Sequence, residues 1–311
     1  MTRSRALLVV RYGLLVLILA AVGWALARNW DAVADELGRM GWGSVLLAFA
    51  LTLGAPVFTL VGWRVLLTDL GTRLPMAPAA SIFFVGQLGK YVPGSVWTVF
   101  AQAEMGAALR VPRRRMAVTG LLSIGLAILC GSLIGVVALP RLLARDASAV
   151  TGWLVGAALV LGAVLLWPPL LNRCVALGLR VLRREPLEHA LGGRAILVTC
   201  AWFVGAWVSA GLGVAVLVRD LQPDASATDL VVVAVCGFAL ASAVGQLSVL
   251  VPAGVGVRDG VLALLLVTFM PLSAATAVVV VARFLTVVGD LVVAGGGWAW
   301  GRRHHLLGSR G

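Results

Sequence analysis

The amino-acid sequence predicts an all-α protein that crosses a membrane several times. Its 311 residues are 61% hydrophobic and only 12% charged, whereas a typical soluble domain carries about 25% charged residues. Six apolar runs are long enough to cross the hydrocarbon layer of a membrane, which takes about 20 helical residues. Two more apolar segments are interrupted by glycine, proline and charge. A soluble fold could not bury this much apolar surface, and the composition also excludes intrinsic disorder.

The six uninterrupted runs are the predicted full spans, and they lie at residues 6–27, 42–67, 116–139, 150–171, 195–218 and 273–300. The first run follows Arg3 and Arg5 and could be read as a signal peptide. Its length, and the spans that follow it, favour an uncleaved first span. We therefore expect residues 1–311 to form a single membrane domain.

The two interrupted segments, 79–109 and 230–272, cannot each be one regular helix, because proline removes a backbone donor and glycine weakens a helix. The first is broken at Gly86, Gly89, Lys90, Pro93 and Gly94, and the second at Gly245, Pro252, Gly254, Gly256, Arg258 and Asp259. Unwound backbone inside a membrane must lie within protein or line a watery cavity. Each segment is predicted to be a re-entrant hairpin or a pair of short helices. A looser count that includes both gives eight spans.

The distribution of positive charge predicts the orientation. If both termini are cytoplasmic, 16 of the 25 Lys and Arg residues fall on the cytoplasmic side and 5 on the other. Basic residues collect in cytoplasmic loops, so this orientation in the cell membrane is favoured. Within it, residues 172–194 form a basic, amphipathic cytoplasmic loop that is expected to lie on anionic lipid.

A short pattern occurs once in each interrupted segment. Gly-Gln-Leu at 86–88 with Val-Pro at 92–93 recurs at 245–247 and 251–252, a constant offset of 159 residues. Three predicted spans separate the copies, and an odd number reverses their direction. This pattern predicts an inverted-topology repeat with halves at about 42–171 and 195–300, and a binding site between broken helices near the midplane. The alternative is coincidence between two ordinary proline kinks.

Charged residues inside the apolar segments are the candidate binding groups, because a charge at membrane depth is costly unless it is paired or hydrated. Lys90, the only lysine, could hold a phosphate, or its long side chain could reach the interface. The adjacent Arg258 and Asp259 could bind an anion, or simply neutralise each other. Arg283 and Asp290 share one face of the last span about 10 Å apart, so each is expected to contact another segment, with Asp259 a candidate partner for Arg283.

The predicted substrate-binding set consists of Gln87, Lys90, Pro93, Gly94, Gln246, Pro252, Gly254, Gly256, Arg258, Asp259, Arg283 and Asp290. We predict no catalytic residue, no cofactor and no metal site, since neither the four cysteines nor the three histidines have ligand spacing. Nucleic acid is not an expected partner despite the net charge of +12, because no basic stretch carries a recognition motif.

Both breaks resemble motifs of the lysylphosphatidylglycerol synthase transmembrane-region family, which is also described as flippase-like. Residues 89–94 resemble its G-x-[YF]-x-P-G motif, residues 252–260 resemble P-G-G-x-G-x-R-E-G, and Arg283 matches a family arginine. Ala253 stands where the motif has glycine, and Asp259 stands where it has glutamate. Trp97 replaces a glycine of many members, which leaves open whether the substrate is the same.

The resemblance implies a protein that binds and translocates an anionic or phosphate-bearing lipid. The best-known members also carry a soluble aminoacyltransferase domain, and because this sequence ends at Gly311 we expect no lipid aminoacylation. No nucleotide-binding loop is present, so transport is expected to be passive or ion-coupled. Two rivals stay open: a non-catalytic partner or scaffold of an envelope lipid or glycan enzyme, and a membrane lipid transferase. A homo-oligomer is also open.

Overall fold

The computed structural model describes residues 30–92, 97–137, 149–181, 183, 189–248 and 252–303. Within these ranges every regular element is helical, which confirms the predicted all-α membrane class. The helices are α1 Trp30–Arg39, α2 Trp42–Asp69, α3 Met76–Gln87, α4 Trp97–Ala108, α5 Arg113–Val137, α6 Ala149–Leu165, α7 Pro168–Val181, α8 Gly193–Leu221, α9 Ala227–Leu247, α10 Val257–Leu266 and α11 Leu272–Arg303. The span predicted at 6–27 lies outside the described residues.

Five of the described helices, namely α2, α5, α8, α9 and α11, are long and apolar enough to cross a membrane. Four of them correspond to predicted spans. The fifth is α9, whose 21 residues were expected to be only part of a broken segment. Gly245, which was expected to belong to the break, lies inside this helix, so the break in residues 230–272 falls after a complete helix rather than in the middle of one.

The span predicted at 150–171 is not one continuous helix, although its two parts together are long and apolar enough for a sixth span. Helix α6 ends at Leu165, α7 begins at Pro168, and the chain bends by 65° between them. Proline has no backbone N–H to donate, so it is accepted at the first position of a new helix but not in a helix interior. The first ten residues of the predicted loop at 172–194 are therefore the helical end of α7.

Helices α3 and α4 are the two arms of a hairpin, which we call the first hairpin, and the 3-10 turn Leu88–Tyr91 follows α3 near its tip. The arms run antiparallel, because Gly86 faces Gln102 and Gly89 faces the backbone of Thr98. A side chain at Gly89 would place its Cβ only 2.5 Å from the Thr98 nitrogen. Glycine at this position therefore allows the two arms to approach.

Helices α9 and α10 are the arms of the second hairpin, and the 3-10 turn Pro252–Gly254 precedes α10. Its arms are also antiparallel, since Gly245 faces Arg258 and Gly237 faces Leu265. Both interrupted segments thus turn back on themselves, and their re-entry into the membrane stays a prediction.

The long helices pack in pairs. α2 packs along α8, α5 packs on the second hairpin through α9, and α11 packs on the first hairpin through α3. The helices of the two predicted halves can be matched in order, α2 with α8, α3 with α9, α4 with α10 and α5 with α11. Under this matching, the contact between α5 and α9 corresponds to the contact between α11 and α3. An inverted repeat predicts this pattern. The repeat halves and the cytoplasmic placement of the termini stay predictions.

Candidate functional site

The tips of the two hairpins meet each other inside the helix bundle, beside a cavity of about 300 Å³. Four long helices line the cavity with residues from their middle turns, which are 52–63 of α2, 120–127 of α5, 203–210 of α8 and 283–293 of α11. Each of these helices is long enough to cross a membrane. The cavity therefore lies near the depth at which the midplane of a membrane would cross the bundle.

Lys90 at the tip of the first hairpin forms an ion pair with Asp290 of α11. Its Nζ lies 2.7 Å from Asp290 Oδ2, and the Lys90 side chain is 34% exposed whereas that of Asp290 is 9% exposed. The Tyr91 hydroxyl donates a hydrogen bond to the same carboxylate oxygen. Lys90 thus turns towards the interior of the bundle, and the alternative in which it reaches the interface does not fit this pairing.

Asp259 lies between two arginines at the base of α10. Its Oδ1 is 3.6 Å from Arg258 Nε and 3.8 Å from the Arg283 guanidinium, so the predicted partnership of Asp259 with Arg283 is present. The other carboxylate oxygen accepts a hydrogen bond of 3.1 Å from the backbone N–H of Gly256, which holds it at the start of the helix. The Arg258 guanidinium also lies 5.5 Å from the ring centre of Phe238, within range of a cation–π interaction.

The turn before α10 depends on left-handed backbone conformations. Ala253, Gly254 and Gly256 have φ values of 48°, 64° and 80°. Glycine adopts such values without steric cost, whereas alanine does not. In this conformation the carbonyl of Ala253 accepts a hydrogen bond of 3.1 Å from Arg283. The turn therefore fixes the arginine of α11 against the second hairpin.

The five charged side chains of the site, from the two hairpins and α11, carry one net positive charge. Lys90, Arg258 and Arg283 face two carboxylates, those of Asp259 and Asp290. Inside a membrane protein such an imbalance is expensive unless a counter-charge arrives. The site is thus suited to a group with a single negative charge.

The structure brings most of the predicted residues to the cavity wall, namely Gln87, Lys90, Gln246, Gly254, Arg258, Arg283 and Asp290. Gly256 and Asp259 do not line the cavity. They lie behind the wall, where they position the arginines. Pro252 begins the 3-10 turn of the second hairpin. Pro93 and Gly94 lie outside the described residues.

Sequence reasoning missed several polar residues of the wall, among them Trp63, Tyr91, Gln102 and Ser242. The rarity of glutamine in the sequence could have pointed to Gln102. The chain has only four glutamines, and three of these, including Gln102, line the cavity. Among the described residues no group of three or more His, Cys, Asp or Glu side chains is placed to hold a metal ion.

The sequence matches the family described as Lysylphosphatidylglycerol synthase TM region over residues 9–294. No curated protein matches the chain. The matched region includes both hairpins and Asp290, so it contains the whole of the site described above, and it confirms the predicted resemblance to the family. The chain therefore belongs to the lysylphosphatidylglycerol synthase transmembrane-region family.

Proposed function

We propose that the protein binds an anionic, phosphate-bearing lipid in this cavity and moves it between the leaflets of the cell membrane. One observation carries the proposal: the tips of both hairpins meet α11 at mid-height of the bundle, where three cations face two carboxylates. A phosphodiester supplies the one negative charge that this arrangement lacks. Membership of a lipid-related membrane family supports a lipid as the ligand.

The cations have distinct roles in the proposed complex. A guanidinium can donate two parallel hydrogen bonds to phosphate oxygens, so Arg258 and Arg283 would fix the orientation of the headgroup. Lys90 would contribute a point charge after exchanging Asp290 for the phosphate. Asp259 would keep the arginines in place. The aromatic and aliphatic part of the wall, which includes Phe203, Trp207 and Phe238, suits the apolar portion of a lipid.

Movement of the lipid would follow from the arrangement of the hairpins. In transporters built from inverted repeats, the two halves rock around a fixed site and expose it to each side in turn. We propose the same motion here, passive or coupled to an ion, with both termini in the cytoplasm.

The test is translocation of fluorescent phospholipids in liposomes that contain the purified protein. Anionic lipids are expected to move faster than zwitterionic ones. Arg258→Ala and Lys90→Ala should each slow the anionic lipids by about tenfold or more, since a hydrogen bond to a charged group contributes about 1.5–3 kcal/mol. Arg39→Ala is the control, because that side chain is 61% exposed and far from the cavity wall.

Two results would contradict the proposal. The first is a well-folded protein that moves no lipid faster than empty liposomes. The second is an Arg258→Ala variant that moves anionic lipids as fast as Arg39→Ala does.

A further inference from the structure

Helix α7 carries an apolar stripe on its outer face. Cys174, Leu177 and Val181 are spaced by three and four residues, so they lie on one face of the helix. All three side chains are exposed, Leu177 by 59% and Val181 by 74%. The stripe is therefore open to an apolar environment outside the protein.

Another face of α7 is fixed to the bundle. Leu171, Val175 and Leu179 recur every four residues and pack into a core that α7 shares with α2, α5 and α8. The Asn172 side chain adds two hydrogen bonds of 2.9 Å to the backbone of Leu191, one donated and one accepted. These contacts set the orientation of the helix, with the apolar stripe turned outwards.

The same contacts place α7 at the end of the bundle that is predicted to be cytoplasmic. Leu191, which Asn172 binds, is followed by Gly192. The Gly192 N–H donates a hydrogen bond of 2.7 Å to Asp69, the last residue of α2, and α8 begins at the next residue. Helix α7 therefore lies beside the predicted cytoplasmic ends of α2 and α8.

Arginines lie beside the apolar stripe. Arg173 and Arg180 are seven residues apart, which places them on one face next to Leu177, and both are exposed. Arg183 follows the helix and is also exposed, while α7 contains no acidic residue. An arginine that faces hydrocarbon is costly. At the headgroup boundary it can reach the lipid phosphates while the apolar stripe enters the acyl region.

The bend before α7 fits a position at this boundary. The 17 residues of α6 reach the lower end of the range of about 17–25 that crosses a membrane, so α6 can cross without α7. The bend of 65° then turns α7 away from the direction of a span and towards the membrane plane. Trp167 lies at the bend with its side chain exposed, and tryptophan is enriched at membrane interfaces.

We propose that α7 lies in the cytoplasmic interface of the membrane and binds anionic lipid headgroups through Arg173 and Arg180, with Leu177 and Val181 in the acyl boundary. A lipid surface fits better than an acidic protein, because one leaflet offers both phosphates for the arginines and acyl chains for the apolar stripe. This surface is separate from the proposed translocation site, since the described residues of α7 do not line the cavity. It gathers anionic lipids beside the protein.

Fluorescence quenching of the full chain tests the inference, because Cys174 is the one exposed cysteine of the four and can carry a fluorophore. The labelled protein is placed in phosphatidylcholine liposomes with a trace of lipid that has a nitroxide near the headgroup end of its acyl chain. Nitroxide phosphatidylserine should quench at least about fivefold more strongly than nitroxide phosphatidylcholine, since each arginine near the membrane favours anionic lipid by about that factor. Added salt should reduce the difference.

Replacement of both arginines tests whether they bind the headgroups. In the double variant Arg173→Gln and Arg180→Gln, the two nitroxide lipids should quench about equally. Both positions are exposed, so the fold should tolerate the changes. Arg39→Gln is the matched control, because it removes an exposed arginine from the end of α1 and should keep the difference.

Four results would overturn the inference. Equal quenching of the unaltered protein by both lipids, or an undiminished difference in the double variant, would exclude headgroup binding by the arginines. Stronger quenching by a nitroxide near the chain end would place α7 in the bilayer interior. A fluorophore reached only by iodide in water, or by no quencher, would show that α7 faces solvent or a protein partner. The proposed function would stand in each case, because no lipid translocation is measured.

Discussion

The two hairpins have the same antiparallel shape but differ in how the charges at their tips are balanced. The second hairpin carries Arg258 and Asp259 side by side and adds Arg283 from α11. The first carries Lys90, and the carboxylate that pairs with it belongs to α11. Their arms also differ, with 12 residues in both arms of the first and with 21 and 10 in those of the second.

Both tips contact α11, and we expect the difference in charge pairing to give the hairpins different mechanical roles. In the second hairpin Arg258 and Asp259 are neighbours in the same helix, so their opposite charges stay close together. The first is tied across the bundle through Asp290, so its tip can change position only if that pair opens. An anion that competes with Asp290 for Lys90 would release the first hairpin, whereas the second would remain held by Asp259.

The largest loss of stability is expected from adding a side chain where the two arms of the first hairpin are in closest contact. Gly89→Ala would place a methyl group 2.5 Å from the Thr98 nitrogen and 2.6 Å from the Trp97 carbonyl carbon. Because backbone atoms cannot move aside cheaply, the variant should lose about 3 kcal/mol of unfolding free energy. Unfolding in detergent, followed by tryptophan fluorescence, measures the loss. Gly260→Ala is the control, since nothing lies within 4 Å of its added methyl group. Equal stability of the two variants would contradict the close approach of the arms.

The next largest losses of stability are expected from replacing the two aspartates, and these losses should differ between the hairpins. Asp259→Asn leaves two arginines without the carboxylate between them, and Asp290→Asn leaves Lys90 unpaired. We expect losses of about 2–3 kcal/mol for the first and about 2 kcal/mol for the second, where Lys90 is 34% exposed and partly hydrated. Asp35→Asn at an exposed position of α1 is the control in the same unfolding measurement. A larger loss of unfolding free energy for Asp290→Asn than for Asp259→Asn would contradict this expectation.

A double variant sharpens the interpretation of the first hairpin. Lys90→Met alone should destabilise, because it leaves Asp290 buried without its cation. In the Asp290→Asn background the same change should recover about 1 kcal/mol, because it removes an uncompensated charge. Strictly additive losses in the four-protein cycle would show that Lys90 and Asp290 do not interact.

The smallest effect is a gain in the turn of the second hairpin. Ala253 has φ 48°, and glycine adopts this conformation without strain. Ala253→Gly should therefore stabilise the protein by about 0.5–1 kcal/mol. Ala263→Gly in α10 is the opposite control, because in a helix the same change costs about 1 kcal/mol. A loss at both positions would contradict a left-handed Ala253.

The breaks and most of the charged site could be predicted from sequence because glycine, proline and charge are conspicuous in apolar helices. Lys90, Arg258 and Asp259 stand out for this reason, and Asp259 was expected to contact Arg283. The bend between α6 and α7 was missed because the apolar run continues through it, and hydropathy does not report a change of direction.

Contacts between distant elements could not be read from the sequence. Asp290 was expected to contact another segment, but its pairing with Lys90 depends on how α11 packs against the first hairpin. Gln102 and Trp63 lie within regular helices, where a single polar group carries no sign of what it faces. Their place on the cavity wall appears only once the packing of the helices is known.

The pairing of Asp290 with the first hairpin also constrains the order in which the site is built during synthesis. Tyr91 and Asp290 are 199 residues apart in the chain. At a translation rate of about 5–20 residues per second, the ribosome makes the acid roughly 10–40 s after the lysine and tyrosine that it holds. During that interval Lys90 has to keep its hydration, so the first hairpin can reach its final depth only after α11 arrives. On the proposed function, the binding site is therefore complete only after α11 has been inserted.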